Sequence, residues 1–215
     1  MLSLSSVGRF AVVSAADFLP QERTLDALRA AAAGCKGCEL WEPATQTVFS
    51  RGEATARLML VGEQPGDQED QKGLPFVGPA GALLVRALDE AKVDRTDVYV
   101  TNAVKHFRFT PKGNRRIHAT PDAAHAAACR PWLRAEIETV GPDLVVLLGA
   151  TAAKTVYGDS FRVTRQRGIV MDWPVANGPR ALATIHPSAV LRADDQESAF
   201  AGLVADLRVA KEVLA

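Results

Sequence analysis

The 215-residue chain is long enough for one domain with a sizeable core, and 47% hydrophobic with 23% charged residues is the composition of a soluble globular protein. A formal net charge of zero excludes a globally basic nucleic-acid binder, so any surface for DNA must be a local patch. No apolar run approaches the roughly 18–20 residues of a transmembrane helix, and three cysteines, an odd number, argue against a disulfide framework and suit a reducing cytoplasm.

The first stretch, MLSLSSVGRFAVVSAAD, has Arg9 in its middle and no charged start, so it reads as mature sequence and not as a signal peptide. Residues 21–33 read as an opening helix, and CKGC follows it with Cys35 and Cys38. Four apolar runs rich in Val, Leu and Ile then predict buried strands over 57–62, 97–104, 143–150 and 180–185. Between the first two, Leu83, Leu84, Ala87, Leu88 and Ala91 recur at helical spacing. Residues 120–140 predict a further helix, with Thr120 as N-cap and Pro121 in the first helical position. A final helix begins near Gln196, with Phe200, Leu203, Val204 and Leu207 on one stripe. This alternation predicts one doubly wound α/β domain over 1–215, built around a parallel sheet. Ligands of such sheets bind outside the carboxyl ends of the strands, where the unusual residues of this chain fall.

A lone Cys-x-x-Cys admits zinc, a redox dithiol or an iron–sulfur cluster. The redox reading wants a strand before the motif, and here a helix precedes it. Cys129, beside Arg130 and Pro131, is by itself an ordinary buried thiol, and His106 ends the segment NAVKH. Three sulfurs and one imidazole suit zinc and iron–sulfur alike. GEQPG (62–66) follows the first strand and aims a carboxylate and an amide at the sheet-end crevice, although alone it is no more than a turn. LPFVGPAG (74–81), TNAVK (101–105) and IHPS (185–188) come next, each at a strand end or a helix start. Val98 to Pro121 holds no acidic residue but contains Lys105, Arg108, Lys112, Arg115 and Arg116, a run that usually means a solvated basic face.

Taken in order, these motifs resemble the iron–sulfur uracil-DNA glycosylases over roughly Cys35 to Phe200. The resemblance implies a three-layer α/β/α sandwich with a central, mainly parallel four-stranded sheet, and a 4Fe-4S cluster. It implies uracil-containing DNA as the substrate, with single-stranded DNA the expected form, and uracil as a product. The chain is expected to act as a monomer, away from membranes. Where that family carries a cysteine after N-x-V-K, this chain has His106, so the implied cluster ligands are Cys35, Cys38, His106 and Cys129. The inserted segment HFRFTPKGNRRIHATPD, with its RRIH, looks like the subgroup called UdgX, known for a covalent link between a loop histidine and DNA after uracil excision; that histidine is here His118.

The roles implied by the resemblance fit the chemistry of each residue. Phe76 would stack on the uracil ring. Asn102 would donate to O4 and accept from N3–H, a pattern that cytosine reverses. Gln64 would help to hold the base. Bond breaking leaves negative charge on uracil and positive charge on the sugar; His186 would donate to O2 and Glu63 would face the cation. His118 would capture that cation in place of water. Lys112, Arg115, Arg116, Ser188 and Arg192 would meet phosphates. His125 has no assigned role. The alternative is a turnover glycosylase that releases uracil and leaves an abasic site.

Overall fold

The computed structural model describes residues 13–215. The reading of the first residues as mature sequence concerns mainly positions 1–12, outside the described residues. The main sheet has six strands: β1 (Ser50–Arg51), β2 (Leu58–Gly62), β3 (Val98–Asn102), β6 (Leu144–Leu148), β7 (Val170–Asp172) and β8 (Arg180–Thr184), in the order β1-β3-β2-β6-β8-β7. The inner four are parallel and are the strands that the apolar runs predict; β1 and β7 join antiparallel at the two edges. The expected four-stranded sheet is therefore corrected to six strands. Its edge strands are only two and three residues long, too short for an alternating or continuous apolar pattern to register.

Alternate residues along each inner strand enter different cores, as a period of two requires. Met59, Val61, Tyr99, Val145 and Leu147 pack with α1 (Leu25–Ala32), α4 (Ala123–Val140) and α5 (Ala150–Tyr157). Leu58, Leu60, Leu144, Val146 and Leu182 pack with α3 (Pro79–Glu90) and α8 (Gln196–Leu214) on the opposite face. Three short helices complete the chain: α2 (Asp67–Lys72), α6 (Val163–Gln166) and α7 (Pro187–Val190). Among the described residues no helix is long and apolar enough to cross a membrane.

Two local features depart from the sequence expectations. The N-cap of α4 is Asp122, not Thr120; its carboxylate accepts from the backbone N–H groups of Ala124 and His125. His125 returns the bond, its Nδ1 accepting from the Asp122 N–H, and its Nε2 lies 2.7 Å from Glu39. This histidine is a helix cap. The basic insertion, in turn, is no open loop. It forms an antiparallel hairpin of β4 (Phe109–Lys112) and β5 (Arg115–His118), separate from the main sheet. Its two-residue turn begins with Gly113 at φ 57°, the left-handed backbone that tight hairpin turns need and glycine adopts most cheaply.

Candidate active site

The carboxyl ends of β2, β3 and β8, together with the hairpin, enclose a cavity of about 480 Å3 lined by Gln64, Phe76, Asn102, His118, His186, Ser188 and Arg192, among others. Residues more than a hundred positions apart thus meet at one end of the sheet. Gly62 closes β2, and a Cβ there would stand 2.3 Å from Asn102 Oδ1 and 2.7 Å from the Phe76 ring. A glycine is what allows the two to converge. Phe76 itself has φ 55°, a left-handed backbone that a bulky residue adopts only under constraint. Buried Glu69 supplies that constraint, accepting from the N–H groups of Val77 and Gly78 with one oxygen and from Gly66 with the other.

Asn102 is 2% exposed, and among the described residues its Oδ1 has no hydrogen-bond partner. A buried orphan acceptor is expensive unless a ligand completes it. His186 caps α7, and its Nδ1 accepts from the Ser188 N–H at 3.1 Å, with Ser188 Oγ at 2.8 Å. That bond puts the ring hydrogen on Nε2, leaving one free donor. Burial pushes the His186 pKa down to about 4, helped by the charges of Arg192 and His118, so the ring is neutral at physiological pH.

His118 ends β5 opposite Phe109, its side chain about half exposed. Its Nε2 lies 3.4 Å from Glu63 Oε1 and 2.9 Å from Gln64 Nε2. The Glu63 carboxylate oxygen can only accept and the Gln64 amide nitrogen can only donate, so the two contacts favour opposite tautomers of His118. Gln64 is buried and bound to the hairpin from both sides. Its Oε1 accepts from Arg108 N–H at 2.9 Å, and its Nε2 has two hydrogens for three neighbours, the carbonyls of Arg108 and Ala119 and His118 Nε2. Its hydrogen bonds hold the base of the hairpin against the GEQPG loop.

The basic residues divide by partner. Lys112 and Arg115 are exposed beside the hairpin turn. Arg116 is turned inward: it bonds Asp67 at 2.6 Å and the fully buried Asp70 at 2.6 Å, and lies over the rings of Phe107 and Phe109. Arg108 pairs with Asp122. Lys105 is completely buried, with Nζ 2.5 Å from Glu136 and 2.9 Å from the Asn102 carbonyl.

Away from this cavity, Cys35, Cys38 and Cys129 belong to one packed region between α1 and α4. Trp132 Nε1–H donates to Cys35 Sγ at 3.2 Å, and the Lys105 N–H donates to Cys129 Sγ at 3.3 Å. Burial pushes the Cys129 thiol up to about 12 and raises Cys38 as well. Thr47 Oγ1 spends its hydrogen on the Ala32 carbonyl, so it accepts from His106 Nε2–H at 2.9 Å, and the lone pair of His106 stays on Nδ1. Burial holds this imidazole neutral, with a pKa of about 4. Among the described residues no three His, Cys, Asp or Glu side chains converge as a single metal ion requires.

Comparison with known proteins places these features in context. A family model described as the uracil DNA glycosylase superfamily matches residues 49–208. The matched span contains both sides of the cavity and begins after Cys38. A type-4 uracil-DNA glycosylase of Thermotoga maritima is 42% identical over 159 residues, covering 74% of this chain and 78% of that protein. A type-4 enzyme of Sulfurisphaera tokodaii is 34% identical over 174 residues, 78% of this chain and 76% of its own. A type-5 uracil-DNA glycosylase of Pyrobaculum aerophilum is 33% identical over 167 residues, 70% and 69% of the respective chains.

Proposed function

The chain belongs to the uracil-DNA glycosylase superfamily, and on that footing we propose that it excises uracil from DNA by cleaving the bond between base and sugar. The observation that carries the reading is the unpartnered, buried Oδ1 of Asn102 beside Phe76. Uracil N3–H supplies the missing donor, and its ring stacks on the aromatic face. Neutral His186 donates from Nε2 to O2 as negative charge builds there, while the Glu63 carboxylate faces the cation left on the sugar. A base paired within a duplex must first be flipped into this cavity, whereas single-stranded DNA needs only unstacking.

Asn102→Asp tests base selection. A carboxylate cannot donate to O4, and the lost buried hydrogen bond costs about 1–3 kcal/mol, roughly 10- to 100-fold in kcat/KM. Uracil release from a synthetic uracil-containing strand measures it; an undiminished rate removes Asn102 from recognition.

The relatives' names speak for hydrolytic turnover, in which water takes the cation and an abasic strand is released. One observation favours a second outcome: His118 lines the cavity with its Nε2 3.4 Å from Glu63 Oε1, where the tautomer with a free Nε2 lone pair could act as a nucleophile. Capture would form a bond from Nε2 to the anomeric carbon as uracil departs with the bonding electrons, leaving a DNA-linked imidazolium that sheds its Nδ1 proton. Denaturing electrophoresis after incubation with uracil-containing single-stranded DNA separates the outcomes: a shifted protein–DNA band for capture, and free uracil with an unattached strand for turnover.

We propose a 4Fe-4S cluster held by Cys35, Cys38, Cys129 and His106 Nδ1, on the chemistry of three thiolates and one imidazole. N–H···S bonds of the kind made by Trp132 and Lys105 support it, being a usual feature of cluster thiolates. Such a cluster would contribute folding energy by tying α1 to α4. Anaerobically purified protein should contain about four iron and four sulfide per chain and absorb broadly in the visible. His106→Cys should preserve that spectrum, and one zinc per chain with no sulfide would end the assignment.

A further inference from the structure

The two oxygens of Glu63 have different partners. Oε1 faces His118 Nε2, whereas Oε2 accepts a hydrogen bond from Thr151 Oγ1. Thr151 stands in the first turn of α5, directly after β6. In the sheet, β2 leads by way of α3 to β3 on one side, and β6 leads by way of α5 to β8 on the other. The two chain segments therefore part company where β2 and β6 end, and this divergence opens the crevice in which such folds bind their ligands. The last backbone pairing between these strands is Val61 with Leu147. Beyond it, the bond from Thr151 to Glu63 ties one side of the crevice to the other.

We propose that Thr151 is a positioning residue for the reaction, fixing the Glu63 carboxylate so that one oxygen is occupied and the other is presented to His118 and the reacting sugar. The inference rests on the uracil-excision reading. Glu63 is only partly buried, and without an ordered donor its carboxylate would rotate and exchange partners with water. A hydroxyl has one hydrogen, and the β-branched threonine side chain is stiff about χ1, so the donor is held in one place. The turn that carries it is fastened by Thr155 Oγ1, which donates to the Thr151 carbonyl at 2.9 Å. The other titratable and charged groups around the cavity are His118 on β5, His186 and Arg192 flanking α7, and Glu69 on α2. None of these bonds Oε2.

The test compares Thr151→Val, which keeps shape and branching but has no donor, with Thr151→Ser, which keeps the hydroxyl. Single-turnover uracil release from uracil-containing single-stranded DNA is measured at neutral pH for both variants and the native protein. The valine variant should be slower by roughly 10- to 100-fold, as expected when a charge-assisted hydrogen bond is lost at the reacting centre. Serine should restore the rate, which a purely structural threonine would not require. Thr151→Ala serves as a second donor-free variant and should repeat the valine result. A native rate in either donor-free variant, with the native protein active, overturns this inference alone. A native protein that releases no uracil overturns the site reading and this inference together.

Discussion

A His118→Ser variant is expected to leave no denaturant-resistant protein–DNA species while uracil release continues. The expectation follows from a division of labour within the cavity. On the proposed reading Asn102, Phe76 and His186 would hold the base and its departing charge, whereas His118 reaches the cavity from a separate hairpin. Serine is smaller and a far weaker nucleophile at neutral pH, and the space it leaves admits a water that Glu63 can orient. The chain should then turn over, giving free uracil and an abasic strand. A full covalent band in this variant, or peptide mapping that puts DNA on another residue, rejects capture by His118. Loss of both capture and release would mean that the imidazole also assists bond breaking. If the native protein itself gives no band, the hydrolytic outcome stands.

Lys105→Met should lower the free energy of unfolding by about 3–5 kcal/mol, the usual result of stranding a buried charge. Lys105 and Glu136 are both 0% exposed. Nζ also bonds Thr101 Oγ1 and the Asn102 carbonyl, and Glu136 Oε1 accepts from Tyr99 and Thr101. Methionine fills the volume but leaves a carboxylate without its cation in the core. Adding Glu136→Gln should recover much of the loss, since the amide oxygen still accepts from Tyr99 and no charge remains. Denaturant midpoints for the single and double variants decide the matter; a double variant less stable than Lys105→Met would show that charge burial is not the dominant penalty.

The inner sheet was legible because its strands are covered on both faces, which forces near-continuous Val, Leu and Ile. The strand ends were legible because Glu63, Asn102 and His186 are polar where the apolar runs stop. Ion pairs left no such trace. Arg116 reads as one more cation in a basic segment, and its partners Asp67 and Asp70 lie 49 and 46 positions earlier on a short helix that no pattern announced. Lys105 reads the same way, yet it is sealed in the core. The hairpin did leave a signal, Gly113-Asn114 between two short runs, which the density of charge obscured. Thr151 follows an apolar strand as an ordinary helix-start residue, and only the convergence of β2 and β6 gives its hydroxyl a partner.

The hairpin bears on how the sequence can vary in length. His118 pairs with Phe109 at the end fixed by Gln64, while Lys112 pairs with Arg115 at the far end, next to the turn. Residues inserted in pairs around Gly113 and Asn114 would lengthen the ribbon away from the cavity without moving the register or facing of the imidazole. Arg116 would stay on Asp67 and Asp70 as before. The distance spanned by the basic tip and the placement of His118 are therefore separate variables: insertions and deletions at the turn can alter the first while the second is inherited unchanged.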